Sequence, residues 1–195
     1  MSYLISPYAA IGEGDSALIV AAARVLGATL LAHGLRVSTA ESCTGGGIAQ
    51  AITEVAGSSA WFDMGWVTYS NAAKTQLVGV PAALIAQHGA VSEAVVRAMA
   101  EGARQASGAS WAVAVSGVAG PSGGSAEKPV GLVWMAWAGP QGTVVEHNYW
   151  PASRAEVRCQ TVYRALSQLN TLLLASAGHA HVPYYCTKGQ QWRMV

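Results

Sequence analysis

The stretch Thr39–Gly47 reads TAESCTGGG and holds two candidate nucleophiles, the Ser42 hydroxyl and the Cys43 thiol. The short segment Val37–Ser42, bounded by the glycine run, predicts a strand. Neighbouring side chains of a strand point to opposite faces, so only one of the two candidates can address a site. The glycines that follow let backbone N–H groups approach a ligand, and the start of the next helix favours an oxyanion or a phosphate. A tight turn with helix-packing glycines is the alternative interpretation.

A lysine that could act as a base follows in the stretch TYSNAAKT, residues 68–75. If Asn71 caps the helix that begins here, Lys74 lies on its first turn, where the positive helix end lowers the pKa of an ammonium group. A neutral lysine can accept a proton from a nucleophile. The alternative is a lysine whose ammonium group extends from an amphipathic turn into solvent.

A long loop rich in glycine, proline and serine spans residues 116–131, with the sequence SGVAGPSGGSAEKPVG. It follows the continuously apolar run Trp111–Ser116, which predicts a central strand covered on both faces. Loops of this length in compact domains are usually functional or disordered, and ligands collect at the carboxyl ends of strands in α/β folds. The loop is therefore either a cover for a ligand or a flexible surface excursion.

Composition disfavours several classes of function. The formal net charge is +1 and no basic run occurs, so nucleic acid is not an expected partner. No apolar stretch reaches the ~20 residues that span a bilayer, and the first residues do not resemble a secretory signal. Three cysteines, odd in number and far apart, fit reduced thiols in the cytoplasm. No metal-ligand spacing occurs, so neither a metal nor another cofactor is expected.

The balance of apolar and charged residues predicts self-association. Hydrophobic residues make up 52% of the chain and charged residues 11%, a low charged share for a free monomer. Some apolar surface is therefore expected to lie against another subunit in a homo-oligomer.

Helix and strand patterns alternate along the chain and predict one α/β domain with a mixed central β-sheet flanked by helices. The predicted helices cover residues 16–33, 46–56, 71–77, a short segment opened by Pro81, 93–106 and 153–176. The predicted strands cover residues 37–42, 64–69, 111–116, 132–138 and 143–150, the last two forming a hairpin. Ser92 is a predicted N-cap, and Ser153 with Glu156 has the spacing of a capping box. This domain covers residues 16–176, between an N-terminal extension, 1–15, and an irregular tail, 177–195.

Three long motifs, AESCTGGGIAQAITEVAGSSAWFDMGWVTYSNAAKTQLVGV, HGAVSEAVV and SGVAGPSGGSAEKPVG, closely resemble the CinA C-terminal domain family. Its enzymatic members are nicotinamide-nucleotide amidohydrolases. The resemblance implies hydrolysis of the carboxamide of nicotinamide mononucleotide to nicotinic acid mononucleotide and ammonia, in pyridine-nucleotide recycling. Ser116 stands where threonine is usual. The larger CinA proteins carry a further N-terminal domain, whose pyrophosphatase function is not transferred to this sequence.

The resemblance also implies a Ser-Lys mechanism. Carried over by position, Ser42 is the nucleophile, Lys74 its general base, and Tyr69 relays the proton or positions the lysine. Cys43 stays open as the alternative nucleophile, although no histidine lies nearby in sequence to activate its thiol. Glu41 is expected to orient the site or support its structure rather than to act as an acid.

The residues expected to bind this substrate lie in the glycine turn, after the second strand, in the long loop and at the start of the last helix. They are Thr44, Gly45, Gly46, Asn71, Gly117, Gly120, Gly124, Lys128 and Arg154. Backbone N–H groups near Thr44 and Gly45 are expected to stabilise an oxyanion, and Lys128 or Arg154 to neutralise the phosphate. The alternative is a non-catalytic module that binds a nucleotide or a protein partner in a competence or DNA-damage response.

Overall fold

A mixed sheet of five strands forms the centre of the computed structural model, which describes residues 15–176. The strands are β1 (Val37–Glu41), β2 (Phe62–Val67), β3 (Trp111–Gly117), β4 (Leu132–Gly139) and β5 (Gly142–Tyr149). They lie in the order β2-β1-β3-β4-β5, with β2, β1 and β3 parallel and with β4 and β5 antiparallel to their neighbours. The predicted α/β fold with a mixed sheet is confirmed. The expected extension, apart from its last residue, and the expected tail lie outside the described residues.

Six α-helices flank the sheet. They are α1 (Ser16–Ala32), α2 (Gly47–Thr53), α3 (Asn71–Val78), α4 (Ala82–His88), α5 (Glu93–Ser107) and α6 (Arg154–Ser176). The capping box that begins α6 is confirmed, because the Ser153 N–H donates to Glu156 Oε2 over 2.9 Å and the Glu156 N–H donates to Ser153 Oγ over 3.3 Å. A short 3₁₀ turn, Ser58–Ala60, was not predicted from the sequence pattern.

The start of α3 differs from the prediction, because Ser70 and not Asn71 is its N-cap. Ser70 has extended backbone angles, and its Oγ accepts the Ala73 N–H over 3.0 Å. Asn71 is already helical, so its side chain is not placed to cap the free N–H groups of the first turn. Lys74 is consequently the fourth residue of α3, still near its positive end.

The two faces of the sheet differ in the size of their side chains. The face toward α1, α2 and α6 carries large apolar residues, such as Val113 and Val115 of β3. The opposite face carries alanines, such as Ala112 and Ala114, and packs against α5. Since successive strand residues alternate between faces, the run WAVAVS supplies both surfaces at once. Both faces of this central strand are buried, as the continuous apolar run predicts.

Close packing also fixes the position of α3 beside α5. A Cβ atom added at Gly102 of α5 would overlap the carbonyl of Val78, the last residue of α3. Glycine at this position therefore lets the two helices approach each other closely. This contact helps to hold α3, and with it Lys74, against the body of the domain.

Candidate active site

The carboxyl ends of two parallel strands, β1 and β2, bring the candidate nucleophile and base together. Ser42 follows β1, and Lys74 reaches the same edge of the sheet from α3, which follows β2. Ser42 Oγ lies 3.1 Å from Lys74 Nζ. Ser42 is 8% exposed and Lys74 is 1% exposed. This places a hydroxyl and an amine within hydrogen-bond distance in a nearly water-free setting.

Three oxygen atoms, those of the Ser42 hydroxyl and of two backbone carbonyls, lie within hydrogen-bond distance of the Lys74 amine. Its Nζ donates to the carbonyl oxygens of Thr68, over 2.8 Å, and Tyr69, over 3.3 Å. A neutral amine has two N–H groups and one lone pair, so these two carbonyls leave the lone pair for the Ser42 hydroxyl proton. Burial lowers the pKa of Lys74 from its ordinary value, because the charged form is poorly solvated there. Burial thus favours the neutral form of Lys74, and in that form its lone pair is within reach of the Ser42 proton.

Tyr69 takes part through its backbone carbonyl, and its side chain has a more open position. The residue is 61% exposed and borders the cavity in front of Ser42. The side chain could therefore contact a bound ligand. Its expected part in proton relay stays a prediction.

The thiol of Cys43 has an unfavourable setting for nucleophilic attack. Cys43 is 6% exposed and belongs to the apolar core on the α1 side of the sheet, although the residue also borders the cavity. Burial raises the pKa of this thiol to about 12. Since the thiolate is the reactive form, the thiol is inert at neutral pH. This supports Ser42 over Cys43 as the nucleophile.

Glu41 holds the start of α2 from within the protein. Its buried carboxylate accepts the Thr44 hydroxyl over 2.6 Å and the backbone N–H groups of Gly46, Ile48 and Ala49 over 3.1, 2.9 and 2.9 Å. A carboxylate at a helix N-terminus is stabilised by the free N–H groups there. The expectation that this helix end receives a substrate anion is therefore corrected, and the structural role expected for Glu41 is confirmed.

The Gly45 N–H is also occupied by the protein itself. It donates to the Ser42 carbonyl over 3.1 Å and closes a tight turn in which Gly45 and Gly46 have φ values of 60° and 96°. These left-handed angles suit glycine. The N–H groups of Gly45 and Gly46 are therefore not available to an oxyanion, contrary to expectation. Among the described residues, the Thr44 N–H has no hydrogen-bond acceptor within the protein.

A cavity of about 310 Å³ opens in front of Ser42 and Lys74. Seven of the residues expected at the site border it: Ser42, Tyr69, Asn71, Lys74, Gly117, Gly120 and Arg154. Sequence reasoning assigned no role in the site to three other wall residues, Ala90, Val91 and Ser116, whereas Val118, Ala119, Ser122 and Gly123 belong to the long loop that was expected to cover a ligand. Ala90 and Val91 belong to the motif HGAVSEAVV, and Ser116 had been noted for its departure from the family. Their positions in these motifs were the sequence features that could have identified Ala90, Val91 and Ser116 as site residues.

The expected residues that do not border this cavity are Thr44, Gly45, Gly46, Gly124 and Lys128. Lys128 Nζ donates to the carbonyl of His88 over 2.7 Å and so ties the long loop to the end of α4. Arg154, in contrast, borders the cavity, and its Nη1 donates to the Gly120 carbonyl over 2.9 Å. Of the two cations expected at the phosphate, the structure brings only Arg154 to the cavity wall.

A second cavity, of about 600 Å³, lies between the end of α5 and the β4–β5 turn. It is larger and open, and neither Ser42 nor Lys74 borders it. The smaller cavity is the candidate active site, because the candidate nucleophile and the candidate base meet there.

Residues 15–176 show neither a metal-binding cluster nor a membrane-spanning helix. In this part of the chain, no group of three or more His, Cys, Asp or Glu side chains is arranged to hold a metal ion. No helix in the same range combines the length and apolar character needed to cross a bilayer.

Comparisons with known proteins agree with the resemblance indicated by the three motifs. A model of the CinA C-terminal domain matches residues 20–173. Nicotinamide-nucleotide amidohydrolase PncC of Pseudomonas putida is 58% identical over 144 residues, which make up 74% of this chain and 90% of that protein. A CinA-like protein of Anaeromyxobacter dehalogenans strain 2CP-C is 56% identical over 146 residues, or 75% of this chain. The match spans 36% of that longer protein.

A solved structure has a fold similar to that of this chain. The competence/damage inducible protein CihA from Agrobacterium tumefaciens superposes with a TM-score of 0.77 at 45% sequence identity. The superposition covers 88% of this chain and 99% of the solved chain. The family model spans the region that holds the Ser42–Lys74 pair, and the chain therefore belongs to the CinA C-terminal domain family.

Proposed function

We propose that this protein is an amidohydrolase that converts nicotinamide mononucleotide and water into nicotinic acid mononucleotide and ammonia, a step of pyridine-nucleotide recycling. The observation that carries the proposal is the 3.1 Å contact between Ser42 Oγ and Lys74 Nζ at the wall of a cavity. The name of the relative that is 58% identical, a nicotinamide-nucleotide amidohydrolase, supplies the substrate class.

In the proposed mechanism Ser42 attacks the carboxamide carbon while neutral Lys74 accepts the hydroxyl proton. Lys74 then gives this proton to the departing amine, and ammonia leaves as the acyl-enzyme forms. A water molecule next loses a proton to Lys74 and attacks the ester carbon. Collapse of this second intermediate returns the proton to Ser42 and releases nicotinic acid mononucleotide.

The negative charge on the carboxamide oxygen needs a hydrogen-bond donor in both tetrahedral intermediates. Backbone N–H groups near Thr44 remain the proposed donors, since the Gly45 and Gly46 N–H groups are already bonded within the protein. One such donor is commonly worth about 2.7–4 kcal/mol in the barrier.

Ammonia release from nicotinamide mononucleotide by the purified protein is the direct test of the activity. The proposal predicts stoichiometric ammonia and nicotinic acid mononucleotide. The alternative, a non-catalytic nucleotide- or partner-binding module, predicts binding of the nucleotide without ammonia. A substrate panel with the riboside, the mononucleotide and the dinucleotide would then define the preference among pyridine nucleotides.

We propose Arg154 as the residue that neutralises the substrate phosphate, because it borders the cavity and Lys128 does not. Arg154→Ala should raise KM for nicotinamide mononucleotide on the order of 10-fold or more with little change in kcat, since a distant ion pair contributes to binding more than to the reacting centre. Steady-state kinetics would measure this. Lys128→Ala is the matched control and should leave KM near the original value. An unchanged KM in the Arg154 variant would contradict the assignment.

The riboside gives a second check on Arg154, because it lacks the phosphate. The Arg154→Ala substitution should affect turnover of nicotinamide riboside much less than turnover of the mononucleotide. Equal losses with both substrates would show that Arg154 acts on something other than the phosphate.

Self-association is proposed through the outer face of α1. Leu18 and Val25, two turns apart on this helix, are 51% and 55% exposed, and Ala21 and Ala28 are exposed on the same side. A second copy of the chain could cover this apolar face. Light scattering during size-exclusion chromatography should show an oligomer that the double substitution Leu18→Glu with Val25→Glu dissociates, while Val144→Glu on β5 leaves it intact. A monomeric unmodified protein would refute self-association, and an intact oligomer in the double variant would refute this interface.

The cellular setting we propose is the cytoplasm. Cys43 forms no disulfide and lies in the apolar core, as expected of a protein in a reducing compartment.

A further inference from the structure

The turn that carries the nucleophile, residues 42–46, is fixed at Thr44 by two charged side chains. From β1, the carboxylate of Glu41 accepts the Thr44 hydroxyl over 2.6 Å. From α6, Arg158 Nη2 donates to the Thr44 carbonyl over 2.8 Å. Thr44 is fully buried, so water does not compete for either of these bonds. The side chain of Thr44 is thus held from β1 and its backbone from α6.

The bond from Arg158 is not explained by an ion pair. No carboxylate of residues 15–176 lies within salt-bridge distance of Arg158. Its Nε is buried and has no hydrogen-bond partner among the same residues. A partly buried charge without a counterion contributes little to stability, because its lost hydration is not compensated. The contact that this guanidinium does make is with the backbone of the nucleophile turn.

The geometry of that turn links Arg158 to the reacting groups. The Thr44 carbonyl belongs to the same peptide as the Gly45 N–H, which donates to the Ser42 carbonyl over 3.1 Å. A displacement of this peptide would therefore move Ser42 and also the Thr44 N–H. Ser42 Oγ must stay near its 3.1 Å distance from Lys74 Nζ for proton transfer.

We infer that Arg158 is a positioning residue of the hydrolase: it holds the Thr44 peptide so that Ser42 stays within hydrogen-bond distance of Lys74. The inference rests on the proposed function, and it deepens it by assigning a role to a residue outside the cavity wall. Because Arg158 contacts the turn and not the substrate, its loss acts on kcat and leaves substrate binding largely intact.

The test replaces Arg158 by methionine, which keeps much of the length and removes the donor. The Arg158→Met variant should lose about 10- to 100-fold in kcat for nicotinamide mononucleotide with a KM within about 2-fold of the original, as small misplacements of reacting groups typically do. Its melting temperature should change little, because an unpaired charge is removed. A raised KM with unchanged kcat would mean that Arg158 binds substrate, and unchanged kcat and KM would mean that the contact is irrelevant. Either result overturns the inference.

Arg164→Met on the same helix is the matched control. Arg164 forms a bidentate ion pair with Glu146 on β5, with both contacts at 2.7 Å. Its removal should lower the melting temperature while kcat stays near the original value. If Arg164→Met loses as much kcat as Arg158→Met, general destabilisation explains both losses, and the inference is overturned.

A second readout does not depend on turnover of the proposed substrate. The rate at which a fluorophosphonate labels Ser42 reports the reactivity and placement of its hydroxyl. This rate should fall by a similar factor in Arg158→Met and stay unchanged in Arg164→Met. If the unmodified protein is labelled but releases no ammonia, the proposed substrate is wrong while the positioning role is still tested by labelling. If labelling of Ser42 does not depend on Arg158, or does not occur at all, the inference fails.

Discussion

Ser42→Ala is expected to abolish ammonia release from nicotinamide mononucleotide, with kcat reduced by about four orders of magnitude or more, as removal of a serine nucleophile does in other hydrolases. The residual rate would reflect the cavity and the oxyanion donor alone. The fold should persist, because the change removes one hydroxyl from an 8% exposed residue. Binding of the nucleotide, measured by calorimetry, should therefore remain.

Cys43→Ala is the matched control for this prediction, since it alters the neighbouring residue. Burial holds the pKa of its thiol at about 12, so no thiolate is available at neutral pH and most activity should remain. Some loss of stability is expected, because Cys43 packs in the apolar core. An active serine variant beside an inactive, folded cysteine variant would reverse the assignment of the nucleophile.

Lys74→Arg is expected to be as inactive as Lys74→Ala, although it retains a positive charge. A base must be neutral to accept the Ser42 proton, and arginine stays protonated at any usable pH. An ordinary lysine is neutral only about one time in a thousand near pH 7.4, so the burial that lowers the pKa of Lys74 is essential to its role. Measurement of kcat for both variants would test this. A largely active arginine variant would show that Lys74 only attracts the substrate.

The pH dependence of the unmodified enzyme follows from the same shift. The pKa of Lys74 is lowered by burial, so the neutral base accumulates as pH rises through a value below the ordinary one of 10.5. The rate should therefore increase with pH and reach a plateau before pH 10.5. A rate that is constant from pH 6 upward, or that falls over this range, would contradict a titrating base at this position.

Local sequence signals predicted much of the fold, because many elements are specified by neighbouring residues. The N-cap Ser92 and the capping box of Ser153 and Glu156 act over three residues, and both are present. The N-cap of α3 was assigned one residue too late, since Ser70 and Asn71 are both good capping residues and only the backbone angles distinguish them.

The candidate site was less predictable, because its geometry depends on contacts between distant residues. Ser42 and Lys74 could be named from motifs, but their distance is set by the packing of α3 on the sheet. Arg158 lies 114 residues from Thr44, and no periodic pattern links the two. Glu41 was expected to be structural, yet its position under α2 requires the glycine turn to reverse the chain. The same turn determines which backbone N–H groups are already bonded within the protein and which could bind a substrate.

Because Lys74 is buried, the stability of the fold also depends on whether its amine is protonated. In the folded protein its pKa is lowered, whereas in the unfolded chain it returns to about 10.5. Between these two pKa values the unfolded chain binds more protons, so the contribution of Lys74 to the free energy of unfolding rises with pH. Below the folded pKa, the native state carries the full cost of enclosing a charged amine. A rise in pH through the folded pKa therefore removes this cost and produces the neutral base in the same titration, so the contribution of Lys74 to thermal stability and its catalytic competence increase together.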